Sequence, residues 1–223
     1  MSKSAIILLS GGLDSATVLA LAKSSGFDCY ALNINYQQRH SAELHYAKRL
    51  AEFYEVKEYK VVDIDLSWLS SSSLTNKTMD IPEIPSVGIP STYVPARNTM
   101  MMTLALAWAE TINCSDIFIG VNAIDYSGYP DCREEYIHSF EKMANLATKN
   151  GVEGSKIYIN APLIKMNKSE IIKLGLEHEV DYSMTVSCYQ PSKDGHACGK
   201  CDSCRLRREG FQKLGVKDPT LYM

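Results

Sequence analysis

The first clear feature of the chain is a continuous apolar run, AIILL at residues 5–9, the pattern of a strand buried on both faces. Behind it, residues 13–25 place Leu13, Val18, Leu19, Leu21 and Ala22 at helical spacing. Residues 30–34 predict a second strand. Residues 41–54 predict a helix with Leu44, Ala47, Leu50 and Ala51 on one face, and residues 59–64 a third strand. The alternation then stops. Residues 67–95 hold a serine run and prolines at 82, 85, 90 and 95. An irregular segment of that length in a compact domain is usually a binding loop or a lid. Beyond it the pattern predicts a strongly apolar helix at 99–110, a strand at 117–121, a helix at 134–148, a short strand at 157–160 and a helix at 168–176. From residue 187 onward the chain is polar and rich in cysteine, and the pattern assigns no element there.

Strands alternating with helices predict an α/β fold, doubly wound around a mainly parallel five-stranded sheet. Ligands in such folds sit beyond the carboxyl ends of the strands, where the strand order switches. No internal repeat is visible. The expected division is a nucleotide-binding domain over residues 1–186 and a metal-binding tail over 187–223, packed on it.

Composition narrows the class. The chain has 223 residues, 45% of them hydrophobic and 22% charged, which suits one globular domain with a substantial core. No apolar run approaches the ~20 residues of a membrane helix, so no membrane partner is expected. The opening residues run straight into the first strand, with no room for a signal peptide, so a cytoplasmic location is the expectation. With 23 basic against 26 acidic side chains, the net charge is -3. That balance argues against a polynucleotide partner, because such binding comes largely from phosphate neutralisation. Arg205, Arg207 and Arg208 are the local exception, a candidate basic patch.

Candidate chemistry begins at residues 10–15. Ser10, Gly11, Gly12, Leu13, Asp14 and Ser15 follow Leu9 at the end of the first strand and open the first helix. Two glycines let the backbone turn sharply and approach a ligand, and the N–H groups of a helix start bind anions. The hydroxyls of Ser10 and Ser15 add donors, and Asp14 fits beside a polyphosphate if it orients the loop or helps to hold Mg²⁺. A glycine pair after a strand is also an ordinary tight turn; the six-residue string is more specific. The sequence lacks G-x-x-x-x-G-K-[ST], which excludes a Walker-type loop.

Four of the seven cysteines, Cys188, Cys198, Cys201 and Cys204, cluster near the C-terminus. Their spacing suits a closed, tetrahedral, structural Zn²⁺ site. An iron–sulfur cluster shares the C-x2-C-x2-C spacing, and His196 is an alternative ligand. Two further segments carry polar and aromatic groups. In PSTYVPARN at residues 90–98, Arg97 offers a bidentate fork for a phosphate or carboxylate at a helix start, next to Asn98. In DYSGYPDCR at residues 125–133, Asp125, Tyr126, Tyr129 and Asp131 could stack on and hydrogen-bond a planar heterocycle, Arg133 adds a further polar group, and Cys132 is more simply a packed thiol. Lys168, at the start of a helix, is a third candidate for a phosphate.

The SGGLDS string resembles the signature of the ATP-pyrophosphatase (PP-loop) superfamily, whose adenine nucleotide alpha hydrolase-like fold joins AMP to a substrate oxygen. Together with NYQQRHSAE at residues 35–43, PSTYVPARN, DYSGYPDCR and the four-cysteine tail, it is similar to the 7-cyano-7-deazaguanine synthase family over nearly the whole chain. The resemblance implies 7-carboxy-7-deazaguanine, ammonia and ATP with Mg²⁺ as reactants, one structural Zn²⁺ per chain and a homodimer. It implies an ATP-dependent carbon–nitrogen ligase of queuosine biosynthesis that passes through an activated carboxylate and an amide. Leu9 through the loop to Ser15 would hold nucleotide. Ser10, Asp14, Ser15, Arg97 and Lys168 would act in catalysis. Arg97, Asp125, Tyr126, Tyr129, Asp131 and Arg133 would hold the substrate. The chain has no recognisable glutaminase nucleophile, so ammonia arrives free or from a separate protein. Two rival readings remain: a tRNA-modifying thiolase or lysidine synthase-like enzyme, which requires a polynucleotide grip, and a non-catalytic zinc-knuckle module, which leaves SGGLDS unexplained.

Overall fold

In the computed structural model, which describes residues 3–39, 42–84, 88–125, 128–192 and 194–223, five strands form one wholly parallel sheet. They are β1 (Ser4–Leu8), β2 (Asp28–Asn35), β3 (Glu58–Asp63), β4 (Asp116–Phe118) and β5 (Tyr158–Asn160), in the order β3-β2-β1-β4-β5. The chain builds outward from β1 through β2 to β3, then crosses back and continues on the other side with β4 and β5. The switch in direction falls between β1 and β4, and their carboxyl ends open into a crevice there.

Both faces of the sheet are covered, which explains the unbroken apolar run at 5–9. Ile6, Leu8, Leu32 and Ile34 point into one core, where α3 (Arg97–Thr111) and α4 (Glu134–Ala147) supply Met102, Leu106 and Phe140. Ala5, Ile7 and Ala31 point into the other. It is closed by α1 (Leu13–Ser24), α2 (Ala42–Phe53), α6 (Lys168–Glu177) and the C-terminal α7 (Asp202–Leu214), through Leu19, Leu50, Ile171 and Phe211. A four-residue α5 (Lys149–Val152) links α4 to β5. Ile6, Ile7, Leu19 and Phe211 are all fully buried. Truncating one of them to alanine costs about 2–5 kcal/mol.

The expected α/β architecture is therefore present, with three local differences. β4 ends at Phe118 rather than 121: the Ile119 N–H still donates to the Asn160 carbonyl, and Gly120 then lies against the Asp14–Ser15 backbone. The segment after β3 lacks regular elements as expected, yet it contributes Leu66, Leu74, Ile81 and Val94 to the core. Its position is held by Arg39, whose guanidinium donates to the carbonyls of Ser73, Asn76 and Met79. The third difference is α7, in the tail to which the pattern assigned no element. Its inward face is Ser203, Cys204, Arg207, Gly210 and Phe211. The spacing is helical, but only Phe211 is a large apolar residue, so the hydrophobic pattern conceals the helix.

Candidate active site

The loop between β1 and α1 turns at Gly11, whose φ is +87. A side chain there would place its Cβ 2.5 Å from the Glu43 carbonyl oxygen and 2.8 Å from the Ala47 nitrogen, both on α2. Glycine is thus required by backbone angle and by space. The turn is braced from within: the Ser15 hydroxyl accepts from the Ser10 N–H at 3.2 Å and donates to the Gly12 carbonyl at 3.0 Å. Gly12 caps α1 without a side chain. The Leu13 N–H is taken by the Ser187 hydroxyl at 3.0 Å, whereas the N–H groups of Gly11, Asp14 and Ser15 find no acceptor among the described residues. Unpaired amides at a helix start, beside two serine hydroxyls, have the chemistry that suits an anion. Gly120, just past β4, lies against it; a Cβ there would be 3.2 Å from the Ser15 nitrogen.

Asp14 faces Lys168 on α6. A capping box holds the start of α6, with Asn167 Oδ1 accepting from the Ser169 and Glu170 N–H groups and Glu170 Oε2 accepting from the Asn167 N–H. Lys168 follows the cap directly. Its Nζ lies 2.7 and 2.9 Å from the two carboxylate oxygens of Asp14, and 3.3 Å from Asp125 Oδ2. Asp125 also accepts from Asn122 Nδ2 at 3.1 Å. Burial raises the Asp125 carboxyl above its ordinary range, and Lys168 works against that shift.

These groups form one wall of a cavity of ≈ 220 Å³, placed at the switch point. Arg97, Tyr36, Glu43 and Tyr129 line the same cavity, with the Glu43 backbone against Gly11. Arg97 Nη1 donates to the Tyr36 hydroxyl at 3.3 Å, with the guanidinium carbon 5.7 Å from the Tyr36 ring centre. The Tyr129 hydroxyl lies 2.7 Å from Thr92 Oγ1, and its ring centre 5.8 Å from that of Tyr93. Glu43 is half-buried, and burial pushes its carboxyl up to about 7 although Arg97 opposes the shift.

The structure thus brings together Leu9, the 10–15 loop, Arg97, Tyr129 and Lys168. Asp125 belongs to the same cluster through Lys168. Asp131 is buried behind the cavity wall, where its carboxylate accepts from the Asn98 N–H at 3.0 Å at the start of α3. Arg133 is exposed, donates to the Pro130 carbonyl and pairs loosely with Glu135 at 3.8 Å. Tyr126 lies outside the described residues. Cys132 accepts from Asn98 Nδ2 at 3.3 Å, and burial pushes its thiol up to about 12, so it is not a thiolate at neutral pH. Sequence reasoning on single residues missed Glu43, Tyr36 and Ser187. The first two stand in the NYQQRHSAE string, and Ser187 stands next to a cysteine of the cluster.

The cysteine tail meets the same site. The sulfurs of Cys188, Cys198, Cys201 and Cys204 all lie within 4.8 Å of one another, with Cys198 and Cys204 3.9 Å apart. A tetrahedral ion with metal–sulfur bonds of ~2.3 Å needs sulfurs roughly 3.8 Å apart, so the four fit one ion. Backbone N–H groups of Gln190 and Cys198 point at the Cys188 sulfur, and those of Lys200 and Cys201 at the Cys198 sulfur. Such donors stabilise thiolates. His196 is not in the group. The neighbouring residues bind the 10–15 loop: Ser187 through Leu13, and Val186 through its N–H to the Gly11 carbonyl at 3.0 Å. The three tail arginines are engaged internally. Arg207 is buried against Asp218, Thr185 and the Tyr182 carbonyl; Arg205 binds Asp202 and Glu209; Arg208 binds the Gly199 carbonyl.

Comparison with known proteins decides the family. The family model described as "Queuosine biosynthesis protein QueC" matches residues 4–215. The chain belongs to the QueC family. Its relatives include proteins named 7-cyano-7-deazaguanine synthase. The one from Pseudomonas fluorescens is 60% identical over 220 residues, covering 99% of this chain and 98% of the relative. The one from Methylobacillus flagellatus is 60% identical over 222 residues, covering 100% and 97%. Among solved structures, NMN synthetase from Francisella tularensis superposes with TM-score 0.52 at 19% identity, covering 97% of this chain and 78% of that one. A 4-thiouridine synthetase in complex with RNA and bound ATP gives 0.54 at 17% identity, covering 96% and 50%. Likenesses at that identity show that this QueC-family chain shares its α/β fold with these two proteins. Among the described residues, no helix is long and apolar enough to cross a membrane.

Proposed function

We propose that the chain converts 7-carboxy-7-deazaguanine and ammonia to 7-cyano-7-deazaguanine with ATP, as a carbon–nitrogen ligase of queuosine precursor biosynthesis. The observation that carries this reading is the full-length 60% identity to relatives named for that product. The cavity is consistent with it, because one enclosure combines an anion-binding loop with a cationic, aromatic wall.

ATP phosphates dock on the amides and hydroxyls of the 10–15 loop, with Lys168 and Arg97 neutralising charge from two sides. Mg²⁺ accompanying ATP would take an oxygen of Asp14 and screen the phosphates. The planar deazapurine packs against Tyr129, and Arg97 holds its carboxylate. A carboxylate oxygen attacks the α-phosphorus, pyrophosphate leaves, and the acyl adenylate accepts ammonia at carbon as AMP departs. The amide oxygen is then activated by a second ATP in the same way. Loss of AMP and the nitrogen's protons leaves the nitrile. Positioning and charge neutralisation supply most of the rate. Asp125 acts by holding Lys168, and Asp131 by holding the start of α3, on which Arg97 stands.

The four cysteines hold Zn²⁺ as a structural ion that ties residues 187–223 to the nucleotide-binding domain. With four protein ligands such a site has no open position for water. The chain works in the cytoplasm as a homodimer, for which exposed Met143, Leu146 and Val152 on α4 and α5 offer an apolar face. The test is mass spectrometry after incubation with ATP, Mg²⁺, isotopically labelled ammonium and the carboxylic acid. Labelled nitrile and AMP are expected. Unchanged acid under these conditions contradicts the proposal.

A further inference from the structure

We propose that Glu43 is the general base that removes protons from nitrogen in the two steps that follow ATP activation. The inference rests on the proposed function, whose chemistry generates the demand. Ammonium must lose two protons to end as the amide nitrogen, and the amide must lose two more to end as the nitrile. In the first step a base takes a proton from ammonium, the nitrogen lone pair forms the C–N bond, a second proton leaves nitrogen, and the C–O bond to AMP breaks. In the second, the adenylated amide gives up its N–H protons as the C–O bond breaks. The original amide oxygen then leaves on AMP and the C≡N bond forms. No redox change occurs, and each proton needs an acceptor beside the acyl carbon.

Glu43 stands where such an acceptor is needed. It lies in the first turn of α2 (Ala42–Phe53), and its backbone touches the phosphate loop at Gly11. It lines the cavity together with Arg97 on α3, whose charge opposes the upward shift of its carboxyl, and with Tyr36 after β2, whose phenol is raised by burial and by Glu43. Arg39 lines the same cavity, but its guanidinium is bound to carbonyls of the 73–79 segment. The other cavity carboxylate, Asp14, is held by Lys168. The Glu43 carboxylate forms no hydrogen bond or ion pair among the described residues. Cys132 is pushed up to about 12 by burial, and the Tyr36 phenol is likewise raised by burial, so neither accepts a proton at neutral pH. Burial also brings the Glu43 carboxyl to about 7, where it can take a proton and return it to solvent in each cycle.

The experiment compares wild type, Glu43→Gln and Glu43→Asp in two assays. Pyrophosphate–ATP exchange with the carboxylic acid, without ammonium, reports activation alone. Nitrile formation with ammonium reports the whole sequence. Glu43→Gln should lower nitrile turnover by about 10²–10⁴-fold while exchange falls far less. Glu43→Asp should restore part of the turnover, and the acidic limb of the wild-type kcat profile should be lost in Glu43→Gln. Equal loss of exchange and turnover overturns the inference, since it assigns Glu43 to nucleotide binding. So does unchanged turnover, or an acidic limb that survives the substitution. Absence of exchange in wild type overturns the functional reading itself, and the inference with it.

Discussion

Lys168 and Asp14, separated by 154 positions in the chain, form the shortest charged contact at the cavity, with Nζ 2.7 Å from one carboxylate oxygen. The pair fastens the start of α6 to the start of α1. A lysine in the first turn of a helix opposes the helix dipole. Here two carboxylates, Asp14 and Asp125, offset that cost.

Removing the lysine leaves both acids without their cation. Side-chain exposures of 7% for Lys168, 18% for Asp14 and 7% for Asp125 put the group out of water. Lys168→Met should therefore destabilise the fold by on the order of 3–5 kcal/mol, measured by urea unfolding. A loss under ~1 kcal/mol, the scale of an exposed pair, shows that solvent already screens the group.

Asp14→Asn keeps the shape and leaves Lys168 with Asp125, so folding should survive. Turnover should fall by about 10²-fold or more, the scale of losing one preorganised electrostatic contact. Ser10→Ala should act in the same direction through the loop. Steady-state nitrile formation, with circular dichroism as the folding control, measures both.

Gly11→Ala meets two obstacles, the positive φ and the 2.5 Å approach to the Glu43 carbonyl. The backbone term alone costs about 1–2 kcal/mol. Because the loop must shift away from α2, ATP affinity should fall more than stability does, a difference that isothermal titration and thermal unfolding separate.

Glu43 gives a pH signature in stability. Its folded-state value of about 7 lies above the ordinary 4.5, so the folded protein binds the proton more tightly than the unfolded chain. The associated stability is complete below about pH 4.5 and is lost as pH rises through 7. Glu43→Gln should match wild type near pH 4.5. At pH 8 it should be more stable, by on the order of 1–3 kcal/mol. Denaturant midpoints at the two pH values give the comparison.

Cys201→Ser removes one of the four sulfurs. Bound metal should fall below one per chain, and the tail should loosen, because metal-binding free energy is folding free energy there. Through Ser187 and Val186 the loss should extend to the phosphate loop and weaken ATP binding. Elemental analysis identifies the ion. Iron with visible absorbance in the wild type contradicts the zinc assignment.

Much of this was legible in the sequence. The run at 5–9, the glycine turn and the alternating pattern led to the doubly wound sheet, because buried parallel strands and amphipathic helices have distinct periods. The SGGLDS string and the cysteine spacing marked two candidate sites by local chemistry. What stayed hidden depended on contacts between distant segments. Asp131 and Arg133 are two positions apart and look alike as polar loop residues. Only the fold turns one inward to Asn98 and leaves the other in solvent. Glu43 reads as an ordinary helix residue until α2 is laid against Gly11. Helix α7 was concealed because cysteine, serine, arginine and glycine occupy most of its inward face.

The proposed reaction depends on main-chain amides of the 10–15 loop holding the phosphates of ATP. A crystal structure with a non-hydrolysable ATP analogue and Mg²⁺ tests it directly. Phosphate oxygens are expected within hydrogen-bonding distance of the Gly11, Asp14 and Ser15 nitrogens, with Lys168 turned toward them. A nucleotide bound elsewhere, with those amides facing water, contradicts it.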